Sequence, residues 1–268
     1  MTANKTATGF GSHVLGAGVM AMGVVCLVWG KFDPGQAVPG GFPDRAALAY
    51  AAAALMLVCG AAVAWRRTAT WGAAALTAYY TLIVVILMDG RGVIAHYAEF
   101  GSYSNVAEQL AIAAAALIVY AGSARIDAAH AARLTRLGLV VFGICAILFG
   151  GAHFFYMNLT APLVPKWLPP GQLFWGYATG IAHIAAGAAI LSGVQARLAA
   201  ILLTIMYASF TPLVHVPAAL ADPSTYFNWT ENALNVALTG AAWVVADSLA
   251  RRGWAGRRFP AKQEVSAG

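Results

Sequence analysis

Eight times along its 268 residues the chain offers a run long and apolar enough to cross a bilayer, and this recurrence constrains the fold more than any motif does. A spanning helix needs roughly 17–25 mostly apolar residues. The runs are Val14–Gly30, Ala46–Trp65, Trp71–Met88, Asn105–Gly122, Leu137–Asn158, Gln172–Gly193, Arg197–Val216 and Glu231–Leu249. No Asp, Glu, Lys or Arg stands in the middle of any of them; Glu108, Glu231, Asp247 and Arg197 all lie near ends. Charged residues are only 10% of the chain and hydrophobic ones 60%. A water-soluble fold of this length could not cover its surface with so few charges, so lipid must be much of the solvent. The expected class is all-α: a polytopic membrane protein whose helices satisfy their own backbone groups. Turn residues separate the runs, among them Asp33-Pro34, Pro39-Gly40-Gly41, Asp89-Gly90 and the segment from Pro162 to Gly171.

Eight crossings return the chain to the side on which it began. Of the 16 Lys and Arg, Lys31, Arg45, Arg91 and Lys166 fall on one side, and the other twelve, from Lys5 to Lys262, on the side of both termini. Cytoplasmic loops carry the excess of basic residues, so both termini are expected in the cytoplasm, with the protein in a bacterial-type inner membrane. The same placement explains a pI near 9.4 and sets nucleic-acid binding aside. The opening MTANKTATGFGSH lacks a basic region and a cleavage site ahead of a short apolar core, so it reads as a tail and not a removed signal. The closing RRGWAGRRFPAKQ suits anionic headgroups. Cys26, Cys59 and Cys145 fall singly inside apolar runs and read as small core residues.

The two halves align at a constant shift of 127 residues. Tyr50 matches Tyr177, Gly60-Ala61-Ala62 matches Gly187-Ala188-Ala189, and Leu76-Thr77 matches Leu203-Thr204. Tyr80 matches Tyr207, Phe100 matches Phe227, and Asn105 matches Asn232. Four spans per copy is an even number, so two four-helix bundles in parallel repeat are expected, unlike the inverted repeats common in transporters. The resulting organisation is an N-terminal tail at 1–13, a first four-helix repeat at 14–122 and a cytoplasmic linker at 123–136. A second four-helix repeat at 137–249 and a basic tail at 250–268 follow. An N-x-x-E pair opens the last helix of each copy (Asn105 with Glu108, Asn228 with Glu231), which reads as a cap at the positive end of the helix dipole.

Candidate chemistry concentrates in the second half. Gly176, Gly180, His183 and Gly187 recur on one helical face, where small residues admit a neighbouring helix, so His183 is expected inside the bundle. An ionisable ring there must find a partner, either as a ligand or proton-handling group or as an interhelical hydrogen-bonding group. His215 follows Pro212, which removes a backbone donor and frees the carbonyl of Ala208. His153 lies near the outer end of the fifth run, close to Tyr156 and Asn158. Rise arithmetic places His153 and His215 near one membrane face and His183 deeper. A metal held by His153 and His215 is geometrically easy, one held by all three is strained, and a haem through His183 stays open. The first half has Met56 and Met88 where the second has His183 and His215, so the first looks like scaffold. The absence of mid-span charge argues against ion-coupled transport.

The stretch LVPKWLPPGQLFWGYATGIAHIAAGAAILSGVQARLAAILLTIMY resembles the DoxX-like family of four-helix membrane proteins. The similar elements are a Pro-flanked outer loop, a Gly-rich second helix, and a short turn with Arg197 followed by Leu-Ala-Ala, within residues 137–249. Many members of that family look like they carry Glu where this chain has His183. The family's name comes from a subunit associated with quinone-linked sulfur oxidation. The resemblance implies a four-helix bundle repeated twice and a redox association, with quinone as the ligand class and a redox or membrane subunit as partner. On this reading a quinone-sized pocket in the outward half of the second bundle is lined by His153, His183, His215, Tyr207 and Tyr156. The alternatives from other classes are a non-catalytic assembly or lipid-binding subunit, and a small-molecule transporter.

Overall fold

The computed structural model describes residues 9–258, with side chains as far as Arg251. The expected tails at 1–13 and 250–268 therefore fall largely outside the described residues, Lys5 and Lys262 with them. Among the described residues there is no strand, and eight helices are long and apolar enough to cross a membrane. These are α1 (Phe10–Trp29), α2 (Arg45–Ala64), α3 (Ala69–Ala95), α4 (Phe100–Ser123), α5 (Ala128–Phe155), α6 (Gln172–Ser192), α7 (Ala196–Ala221) and α8 (Tyr226–Arg258). They fit a multi-pass membrane protein. Val28, Val58, Trp71 and Ile94 are exposed on the outside of the helices, where a soluble protein would carry charge.

The helices are longer than the apolar runs predicted. α4 begins at Phe100 and not at Asn105, and α8 begins at Tyr226 and not at Glu231. Segment 128–136, expected as part of a linker, is helix continuous with α5, because Asp127 caps it by accepting from the His130 N–H at 3.0 Å. That hydrogen bond and the His130 side chain hold the Asp127 carboxyl below its ordinary range. Gly30 and Gly193, both in the left-handed region (φ 61° and 79°), end α1 and α6 where a Cβ would be strained.

The halves are not separate bundles. α1 packs on α2 and, as extensively, on α8; α5 packs on α6 and on α4; α4 also touches α8. Each half thus closes through the other, and α2–α3–α4 and α6–α7–α8 complete the ring. Small residues permit the tightest crossings. A methyl on Gly16 would stand 2.5 Å from the Gly60 carbonyl oxygen, and one on Gly187 would stand 2.5 Å from that of Gly143. Gly18 and Gly240 meet the backbones of Ala237 and Leu15 where α1 crosses α8. Without a hydrophobic drive between helices in lipid, such close backbone packing is a main source of association.

Polar ties join the halves at the end away from Gly9 and Asp247. The Tyr226 hydroxyl donates to the Phe32 carbonyl at 2.8 Å, and the Gly101 N–H donates to the Tyr156 hydroxyl at 2.8 Å. Phe100 stacks on Phe155, centroids 4.4 Å apart. Both α3 and α7 loosen to an i→i+5 register near this end, over Tyr79–Asp89 and Thr211–His215. In α7 the cause is Pro212, whose missing N–H cannot continue the helical ladder.

Candidate functional site

A cavity of about 270 Å³ lies at this end, between α4 of the first half and α5, α6, α7 and α8 of the second. His153, His183, His215 and Tyr207 all line it. Tyr156 does not; its hydroxyl is committed to Gly101 of α4, so it ties the halves together instead.

Gly180 brings the first two imidazoles together. A methyl there would stand 2.9 Å from Cβ of His153, so α5 lies close against α6 one turn from His183. The rings of His153 and His183 are 4.9 Å apart, and those of His183 and Tyr207 are 5.4 Å apart. Rise along separate helices predicts His183 deeper than His153 and His215; the close α5–α6 crossing nevertheless makes His153 a neighbour of His183, and all three line one cavity. Phe149 meets His183 edge-on at 6.1 Å, and Phe210 meets Tyr207 at 6.2 Å.

The hydrogen bonds fix the chemistry of both rings. Nδ1 of His183 lies 2.7 Å from the Thr179 carbonyl, and Nδ1 of His153 lies 2.8 Å from that of Phe149. A carbonyl only accepts, so each Nδ1 carries the hydrogen and each neutral ring keeps a lone pair on Nε2. His183 is 2% exposed and Tyr207 is 2% exposed, and the Tyr207 hydroxyl has no hydrogen-bond partner. The Tyr207 carbonyl accepts from Nδ2 of Asn235 at 2.9 Å, and the same amide donates to the Thr211 hydroxyl at 2.8 Å. Asn235 thereby braces α7 against α8 where the helix changes register. Among the described residues, no group of three or more His, Cys, Asp or Glu is arranged to hold a metal ion.

Two carboxylates complete the lining, and neither is the helix cap that its N-x-x-E spacing predicts. Glu108 comes from α4 and Glu231 from α8. Their supposed capping partners are engaged elsewhere: Asn105 donates to the Gly35 carbonyl at 3.1 Å, and Asn228 donates to that of Ala218 at 3.1 Å. Because α4 starts at Phe100, Glu108 lies two turns inside a spanning helix, about 12 Å from its start. Glu108 aligns with Asn235 at the 127-residue shift, polar opposite polar on an apolar helix, and that was the available signal. No Lys or Arg lines the cavity.

An apolar groove between α6 and α7 adjoins it, lined by Trp175, Leu213 and Met206 and sharing Val164, Phe210 and Val214 with the cavity wall. An apolar chamber with a few polar groups, sharing a wall with an apolar trough, suits an amphipathic molecule.

The corresponding place in the first half is closed. Met56 is fully buried; its sulfur accepts from the Tyr80 hydroxyl at 3.4 Å and from Nε2 of Gln36 at 3.8 Å. Tyr79 donates to Oε1 of Gln36 at 3.1 Å. The loop carrying Gln36 is pinned by its own bonds: Gly35 N–H to Asp33 at 2.9 Å and Ala37 N–H to Asp89 at 3.1 Å. Burial, with the charge of Asp89 added, pushes the Asp33 carboxyl up to about 6, against the opposing Gly35 N–H. None of Asp33, Gln36, Asp89 and Gln109 was singled out from the sequence as a buried polar group.

A family described as a domain of unknown function (DUF8561) matches residues 142–246. That stretch is similar to the family over most of the cavity wall, from Phe149 to Asn235, and it stops short of Glu108. No curated protein and no solved structure matches the chain.

Proposed function

We propose that this is an inner-membrane protein, both termini cytoplasmic, that binds a small amphipathic molecule in the outward half of its second four-helix repeat. The carrying observation is the cavity itself, with one buried and two part-buried imidazoles and an unpartnered tyrosine hydroxyl in its lining and an apolar groove beside it. Ligand sites are mostly apolar with a few convergent polar groups, and this cavity has that composition. The charge bias supports the orientation. The parallel repeat is supported by the 127-residue shift and by matching helix neighbours: α1 meets α2 and α8 as α5 meets α6 and α4.

Within the DoxX-like resemblance the occupant is a quinone-type head group. A flat ring fits beside Phe149 and Phe210, the Tyr207 hydroxyl can donate to a ring carbonyl, and a partner redox subunit would exchange the electrons. Titration of the detergent-purified protein with a short-chain quinone tests this occupant. His183→Ala is expected to weaken binding about tenfold or more, and unchanged affinity would remove His183 from the site. A second reading, a small-molecule transporter, is favoured by Glu108 and Glu231, since carboxylates within spans usually mark a substrate or ion path. Vesicle uptake of a labelled substrate, lost in Glu108→Gln, would separate transport from binding.

A further inference from the structure

The polar lining of the cavity is one-sided, acidic with no basic residue, and this identifies the class of ligand more narrowly than its size does. Glu108 and Glu231 both line it and lie within electrostatic reach of each other, and no Lys or Arg stands on its wall. Neither carboxylate forms a salt bridge or a side-chain hydrogen bond with any described residue. The two best-placed imidazoles present lone pairs, because their Nδ1 hydrogens are spent on backbone carbonyls. Tyr207, almost wholly buried and with its hydroxyl unpartnered, turns an aromatic ring to the same space, as do Phe149 and Phe210. Carboxyl groups with no basic partner, imidazole lone pairs and aromatic faces in a low-dielectric chamber all favour a cationic guest.

We propose that the cavity binds a compact organic cation, an ammonium head group held between Glu108 and Glu231 with its methyl or methylene faces on Tyr207, Phe149 and Phe210. The proposal rests on the cavity's being a ligand site and not on the ligand's being a quinone. The adjoining groove between α6 and α7 takes whatever apolar chain the cation carries. The same ammonium chemistry has two sources, a free amine and the head of a zwitterionic lipid. Glu108 lies outside the stretch matched by the family, so the cation site needs both halves of the chain.

The test is calorimetric titration of the full chain in nanodiscs with three probes: benzyltrimethylammonium, its uncharged isostere neopentylbenzene, and a short-chain quinone. The expected result is binding of the cation with affinity at least about tenfold above that of the isostere. Glu108→Gln and Glu231→Gln should each lower the cation's affinity about tenfold, while Tyr207→Phe, which keeps the ring, should retain it. Thermal melts establish that each variant is folded; if Glu108→Gln is not, Glu231→Gln carries the same expectation. If the isostere binds as well as the cation, or only the quinone binds, the cation proposal is overturned while the ligand cavity stands. If no probe binds, both fall. Repeating the titration in phosphatidylglycerol discs with and without phosphatidylcholine assigns the source: competition by phosphatidylcholine identifies a lipid head, and equal affinities identify a free amine.

Discussion

Met56 and His183 stand 127 residues apart, at the shift that aligns the two halves, and their surroundings differ. Around Met56 the space is filled by the chain's own loop, with Gln36 reaching the thioether and the Tyr79 hydroxyl. Around His183 the connecting segment contributes Thr160, Leu163 and Val164 to a wall, and a cavity is left. Both halves use the same glycine crossings, Gly16 on Gly60 and Gly143 on Gly187. Helix packing and ligand space are therefore set by different residues: the small ones fix how close helices come, and one loop side chain decides whether the gap between them is filled.

The comparison breaks first at the crossings. Gly60→Val and Gly187→Val each place a branched side chain against a facing backbone, and each should cost about 3 kcal/mol or more in denaturation of the detergent-solubilised protein. If one is tolerated and the other is not, the halves are not packed alike. The next effect is electrostatic and belongs to the first half. Asp33 has a folded value of about 6 against an ordinary 3.8, so the native state holds its proton more tightly than the unfolded one. Its contribution to stability is fully present below about pH 4 and is lost as pH rises through about 6. Asp33→Asn should therefore be more stable than wild type at pH 8 by about 2–3 kcal/mol, with the two melting curves converging toward pH 4. A constant difference across that range would contradict the burial account.

Smaller effects sharpen the contrast in the second half. Asn235→Leu leaves the Tyr207 carbonyl and the Thr211 hydroxyl without their shared donor and should cost about 1 kcal/mol. Gln36→Ala removes the plug from the first half and should cost about 0.5–1 kcal/mol, leaving any ligand affinity of the second half unchanged. A change in that affinity would mean that the loop acts on both halves.

Hydropathy and glycine spacing made the eight spans legible, because a helix in lipid has one backbone solution and its close contacts need small residues. The inward aspect of His183 followed from Gly176, Gly180 and Gly187 on its face. Two things were hidden. Helix ends extend beyond apolar runs into polar sequence, so Glu108 and Glu231, whose spacing predicts caps, lie inside α4 and α8. The packing of α8 on both α1 and α4 leaves no local trace, since it joins spans far apart in the sequence. His153 meeting His183 follows from a close crossing that linear rise along separate helices does not capture.

The most direct measurement of the contrast between the halves is thiol accessibility. In a background with Cys26, Cys59 and Cys145 replaced by Ala, His183→Cys and Met56→Cys are each exposed to a small membrane-permeant methanethiosulfonate and followed by mass spectrometry. An open second cavity and a plugged first one predict rapid modification at position 183 and none at 56 until Gln36→Ala is added. Equal reactivity at the two positions, or modification at 56 alone, would contradict the account.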